Sequence, residues 1–202
     1  MIEILIATKN AGKVRELHQL TAEHPWIWRG LDELPDVPSA VEDADTLEGN
    51  ARKKALHYAA ATGLLTLADD SGLEVDVLDG APGVHSARYA GDPKDDRANN
   101  RKLIAALRDV PPEKRTARFR CAMALAQAGR ILAESRGVVE GVIVDEPRGE
   151  NGFGYDPHFF VPRLGKTMAE LPPAQKNALS HRGKALRAML EQIAHLNLSE
   201  RI

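Results

Sequence analysis

Two aspartates, Asp69 and Asp70, stand side by side in "LADDSGLEV" (67–75), between an apolar run and Ser71-Gly72. Neighbouring side chains of an extended segment point to opposite faces, so the pair does not read as a dyad sharing one proton. One is expected to face a cleft and the other to fix backbone at the strand end. A carboxylate at the C-terminal end of a strand, near phosphate-binding loops, can hold Mg²⁺ or deprotonate water. The same letters suit an acidic turn, "DDSG", between two strands. Spacing alone leaves both readings open.

Three further stretches carry residue types that suit chemistry. "TKNAGK" (8–13) falls between a strand end and a helix start, where exposed backbone N–H groups and Lys13 would suit a phosphate. It is not a Walker A loop: that needs glycine at position 7 and Ser or Thr at 14, and Ala7 and Val14 are found. A plain polar turn would look the same. "NGFGYDP" (151–157) sets glycines on both sides of Phe153, with Tyr155 following. Such a loop lets backbone approach a flat ligand while a ring stacks on it; a tight turn with aromatics plugging the core is the alternative. In "KNALSHRG" (176–183), Ser180 can cap a helix and would put His181 and Arg182 in its first turn. A cation there opposes the helix dipole, which points to another duty for it. Arg52, Lys53 and Lys54 lie on a helix, Lys54 about one turn beyond Asn50, with Glu42 in an acidic loop upstream. A solvated face accounts for most of those charges.

Other chemistries are excluded. The single cysteine, Cys121, sits in apolar "ARFRCAMALA" and reads as a buried, inert thiol, and no disulfide can form within the chain. The histidines show no H-x-x-x-H pair and there is no C-x-x-C, so a zinc site has no support. The net charge of −2 supplies no basic field for a nucleic-acid polymer. No apolar run approaches a membrane span or a signal peptide, so a soluble cytoplasmic protein is expected.

The elements that must position these residues follow from periodicity. "IEILIA" (2–7) reads as a buried strand, "KVRELHQLTAEH" as a helix, and "WIWRGLDELP" as a strand running into a turn. Residues 35–45 read as an exposed loop. A helix is expected from Thr46, its cap, to Thr62, with Gly63 ending it. "LLTLADD" and "LEVDVL" read as two successive strands, "APGVHSARYAGDP" as a loop, and "KDDRANNRKLIAALRDV" as a helix stopped by Pro111-Pro112. "TARFRCAMALAQ" and "RILAESRGVVEGVIV" form a hairpin signal across "AGR". "HFFVP" is a further strand, and 173–198 is helical with a break at "SHRG". The whole is α/β with a mixed sheet, in one domain spanning residues 1–202.

In this order and spacing, "IATKNAGKVRELHQL", "ADDSGLEVDVLDGAPGVHSARYAG", "GFGYDPHFFVP" and "SHRGKAL" resemble the motifs of the inosine triphosphate pyrophosphatase family, over nearly the whole chain. The resemblance implies a long central mixed sheet flanked by helices in two lobes, with the active site in the cleft between them. It implies hydrolysis of ITP, dITP and XTP to the monophosphate and pyrophosphate, a Mg²⁺ cofactor and a homodimer. Carried over by position, Thr8, Asn10, Lys13 and Lys54 would contact phosphates. Asp70 would be the catalytic, metal-associated carboxylate supported by Asp69, Glu42 the second metal ligand, and Ser71 a substrate contact. Phe153, Gly154, Tyr155 and Asp156 would form the base pocket, and Lys176, His181 and Arg182 the remaining contacts. Two other readings are a Maf-like pyrophosphatase, whose Ser-Pro-Arg-Arg-like opening is absent here, and a nucleotide sensor without turnover, which would have lost an acidic position.

Overall fold

The computed structural model of the chain describes residues 2–22 and 24–196. Strand β1 (Glu3–Ile6) is a short β-branched run with its last three residues buried. It pairs in parallel with β2 (Ile27–Gly30) on one side and with β3 (Leu65–Val75) on the other. The sheet continues through β4 (Thr116–Gln127), β5 (Arg130–Ile143), β6 (Phe159–Val161) and β7 (Lys166–Thr167), in the order β2-β1-β3-β4-β5-β6-β7. The β5–β6 and β6–β7 pairs are antiparallel, so the sheet is mixed. Ala128 and Gly129, both at positive φ, make the β4–β5 connection, the backbone of a tight hairpin turn.

Local chemistry sets the helix ends. Asn10 caps α1 (Ala11–Thr21) by accepting from the N–H groups of Gly12 and Lys13. Thr46 caps α2 (Leu47–Thr62), and Gly63 closes it in the left-handed region at φ 72°. Asp95 caps α3 (Asp96–Ala106), which is shorter than the sequence pattern suggests because the cap fixes its start. The tail breaks where expected. Helix α4 (Pro173–Leu179) ends at Ser180, whose backbone is extended, and α5 (His181–His195) begins at once. The last residues of the expected tail helix lie outside the described residues.

One expectation is corrected. "LLTLADD" and "LEVDVL" are not two strands with an acidic turn between them; β3 runs unbroken for 11 residues through Asp69-Asp70-Ser71-Gly72. Ser-Gly reads as a turn, yet here the glycine serves close approach. A Cβ on Gly72 would strike the carbonyl of Gly83 and lie 2.9 Å from the Ser86 hydroxyl. That hydroxyl accepts the Leu73 N–H at 2.9 Å.

The described chain divides into two compact units. One comprises the residues up to Asp70, Cys121–Gly137 and the segment from Arg182 onward; the other comprises Ser71–Arg120 and Val138–His181. In the first, Ile4, Ile6, Leu65, Leu67, Met123 and Leu125 pack with Leu17 of α1 and with Leu186, Met189, Leu190 and Ile193 of α5, a stripe at helical spacing. In the second, Leu73, Val75, Phe119, Val139 and Ile143 pack with Leu103 of α3, with Leu107 just beyond its end, and with Phe159 and Met168. Among the described residues no helix is long and apolar enough to cross a membrane.

Candidate active site

Strand alternation gives the two aspartates different neighbours. Asp69 shares the parity of Leu65 and Leu67, whose side chains face α1 and α5. There its Oδ2 meets Lys13 Nζ of α1 at 2.8 Å and Arg182 Nε of α5 at 3.4 Å. Asp70 has the opposite parity and meets α2. Asn50 Nδ2 donates to its Oδ2 at 3.1 Å, and Lys54 Nζ lies 3.6 Å from its Oδ1. Lys54 also donates to Glu42 Oε2 at 2.7 Å. The Asn50 carbonyl oxygen accepts the Ala44 N–H at 2.9 Å, which ties the acidic loop to the same helix turn.

The two carboxylates consequently differ in proton affinity. Burial opposes ionisation of Asp69, but Lys13, Arg182 and Lys54 together outweigh it and hold the group well below the usual carboxylate range. Burial also dominates at Asp70, and there Lys54 and Lys13 do not fully offset it, so its pKa is raised. Burial disfavours the Lys54 charge as well, but Asp70, Asp69 and Glu42 outweigh it and the ammonium is held more firmly than usual. Asp69 is therefore a fixed anion, while Asp70 is the carboxylate poised to take a proton.

The expected split of duties is half right in its geometry. Asp69 and Asp70 do face apart, but Asp69 does not fix backbone: its Oδ2 binds two cations. Arg182, 2% exposed in the first turn of α5, has its guanidinium between Asp69 and Glu16. The helix dipole does not favour a cation there, and the two carboxylates explain its presence. Asn10 spends its side-chain oxygen on capping α1, and the Thr8 hydroxyl accepts the Asn10 N–H at 3.2 Å. Cys121 is buried, its thiol pushed up to about 12 by burial and by Asp69 beside it at 3.9 Å, which makes it inert.

The second unit holds the remaining candidates. Asp156 Oδ2 accepts the Phe153 N–H at 2.9 Å and the Lys176 ammonium at 2.7 Å. The same ammonium lies 5.0 Å from the centre of the Phe153 ring. Gly152 must be glycine: its φ is 78°, and a Cβ would collide with the Asp156 carboxylate. Tyr155 plugs the core, its hydroxyl donating to the Ser86 carbonyl at 2.8 Å, and burial pushes its pKa up. His181 is buried, its ring stacked on Phe119 at 4.9 Å. Ser71 is half-buried at the start of this unit.

With that geometry in place, a model of the Ham1 family matches residues 4–192. The chain belongs to the Ham1 family. Relatives of this Ham1 chain include the dITP/XTP pyrophosphatase of Desulforamulus reducens, 49% identical over all of both chains. That of Geobacter sulfurreducens is 51% identical over 96% of this chain and 97% of its own. Among solved structures, the HAM1 protein from Coxiella burnetii superposes with a TM-score of 0.88 at 41% identity, covering 97% of this chain and all of its own. The family resemblance read from the four motif blocks is borne out.

Several residues that hold the candidate site residues in place were given no role in the sequence reading. Glu16 lies three residues after Lys13 on α1, and both are buried. Asn50 lies four residues before Lys54 on α2. Asp96 and Asn100, four apart on α3, reach Gly154. Polar residues one turn from a suspected ligand on the same helix face are the signal that would have found them.

Proposed function

We propose that this protein hydrolyses the non-standard purine nucleoside triphosphates ITP, dITP and XTP to the monophosphate and pyrophosphate. The observation that carries this reading is the buried Asp70 carboxylate, held by Asn50 beside Lys54 and Glu42. It occurs in a chain about half identical, along its full length, to a relative named dITP/XTP pyrophosphatase.

The donor set fits Mg²⁺. The carboxylates of Asp70 and Glu42, hard oxygen donors of the kind Mg²⁺ takes, both approach the Lys54 ammonium. Mg²⁺ is commonly held by one or two carboxylates, with phosphates and water completing its shell. Asp70 and Glu42 would hold it, and once bound it would neutralise charge on the triphosphate and the departing pyrophosphate.

Asp70 would orient the attacking water and take its proton. The attack falls on the α-phosphorus, and pyrophosphate leaves. Lys13, Lys54 and Lys176 would offset the triphosphate charge, with Thr8, Asn10 and Ser71 as further contacts. Phe153, Gly154 and Asp156 would receive the base, while Tyr155, expected among them, ties the loop to the core through the Ser86 carbonyl. Hypoxanthine and xanthine carry an oxygen at C6, where adenine carries an amino group. Donors aimed at that oxygen, from His181 or Arg182, would reject adenine because two donors would face each other.

Pyrophosphate release from ITP, XTP, dITP, ATP, GTP and dTTP with Mg²⁺ tests the reading. Release from ITP and XTP, with little from ATP and GTP, is expected. Release from dTTP but not ITP would favour a Maf-like enzyme. Tight binding without release would favour a sensor. We also propose a homodimer, on the strength of the family resemblance, and a cytoplasmic location; light scattering and cell fractionation test the two.

A further inference from the structure

Phe153 lies between two pinned peptide planes. Its own N–H donates to Asp156 Oδ2 at 2.9 Å, and the next N–H, that of Gly154, donates to Asp96 Oδ2 at 2.9 Å. A third plane is held as well: the Gly154 carbonyl accepts from Asn100 Nδ2 at 2.9 Å. Fixing the two planes that flank a residue fixes its φ and ψ, and with them the direction of its Cα–Cβ bond. The orientation of the Phe153 ring is therefore set by Asp156 on one side and by α3 on the other.

The clamp on Gly154 comes entirely from one face of α3, because Asp96 and Asn100 are four residues apart. Gly154 sits at φ 62°, in the left-handed region that glycine enters without the penalty a Cβ would bring. Space does not hold it, since a Cβ there would meet nothing within 4 Å. The two hydrogen bonds therefore hold a residue that has no side chain to pack. Asp96 also lies 3.5 Å from Lys94 through its other oxygen, Oδ1, which leaves Oδ2 to Gly154.

We propose that Asp96 and Asn100 are positioning residues for nucleobase selection, acting through the backbone of Phe153 and Gly154. This rests on the reading of that loop as the base pocket. A loosened loop would let the ring tilt, and a ring that tilts accepts bases of other outlines. The effect belongs on KM and on the preference for ITP over GTP, while turnover at saturation stays close to that of the unaltered enzyme, because neither residue belongs to the Asp70 cluster.

The test compares KM and kcat for ITP, XTP and GTP in Asp96→Ala, Asp96→Asn, Asn100→Ala and the unaltered enzyme, with melting curves confirming that each variant folds. Asn at position 96 keeps an acceptor for the Gly154 N–H, whereas Ala removes it. Expected are a roughly tenfold fall in the ITP-to-GTP ratio of kcat/KM for both Ala variants, kcat for ITP within about twofold, and recovery in Asp96→Asn. Faster amide exchange at Gly154 in the Ala variants is the accompanying structural readout, and it survives any loss of activity. Unchanged ratios in both Ala variants, or equal loss in Asp96→Ala and Asp96→Asn, would overturn the proposal while leaving the parent reading intact. An unaltered enzyme that releases no pyrophosphate from ITP or XTP would overturn the parent reading and this proposal with it.

Discussion

At the scale of single residues, the two adjacent aspartates have opposite effects on folding stability. The folded pKa of Asp70 is raised, so its ionised form is disfavoured by folding and opposes stability at neutral pH. Asp70→Asn should therefore raise the urea midpoint of the metal-free protein at pH 7, since Asn can still accept from Asn50. The same change should lower kcat by about 10²–10⁴-fold while nucleotide still binds. Near-normal turnover in this variant would remove Asp70 from the catalytic role. Asp69 has the reverse sign. Its folded pKa is depressed, so its stabilisation is present above the ordinary carboxylate value and is lost as pH falls from there through the folded value. Asp69→Asn leaves Lys13 and part of Arg182 uncompensated in a buried setting and should cost about 3–5 kcal/mol at pH 7. Denaturant melts at pH 7 and pH 3 should show the gap between the variant and the unaltered protein only beginning to narrow at pH 3, which lies below the ordinary carboxylate value but above the folded one.

At the scale of elements, the caps and stops did what the sequence suggested. Thr46 and Gly63 bound α2, and "SHRG" breaks the C-terminal helix. Both depend on a few neighbouring residues, and local chemistry of that kind is legible in a chain. The unbroken β3 was not legible. Ser-Gly can turn or run straight, and here Gly72 runs straight against the Gly83 carbonyl, a contact made by the following loop that spacing alone does not reveal. The β4–β5 hairpin offers a test at this scale. Ala128 sits at φ 49°, a region that costs a residue with a Cβ roughly 1–2 kcal/mol. Asn-Gly suits this turn better than Ala-Gly, so Ala128→Asn should add about 0.5–1 kcal/mol. Calorimetry should then read a melting point about 1–4 °C higher. An unchanged or lower value would mean that the turn is not strained.

At the scale of the whole molecule, the four motif blocks are sufficient to indicate the family, because each is a short run whose members are neighbours in the chain. The roles of individual charges were less visible. Arg182 stood out because its place in a helix's first turn is electrostatically unfavourable, but its partner Glu16 is 166 residues away. Nothing in the sequence links the two. We propose that the chain forms a homodimer, on the strength of its family resemblance, and light scattering should return twice the mass of one chain; a monomer at micromolar concentration would count against it. What the sequence determined by itself was the set of reactive groups, the caps and periodicities that build the elements, and the separation of Asp69 from Asp70 by strand alternation. What only the tertiary structure decided was the company each carboxylate keeps. Helices α1 and α5 bring two cations to Asp69 and hold it as an anion, whereas α2 brings Asn50 and Lys54 to a buried Asp70 whose pKa remains raised. The physical reason is that proton affinity depends on burial and on charges within a few ångströms, and those neighbours are set by packing between segments far apart in the chain.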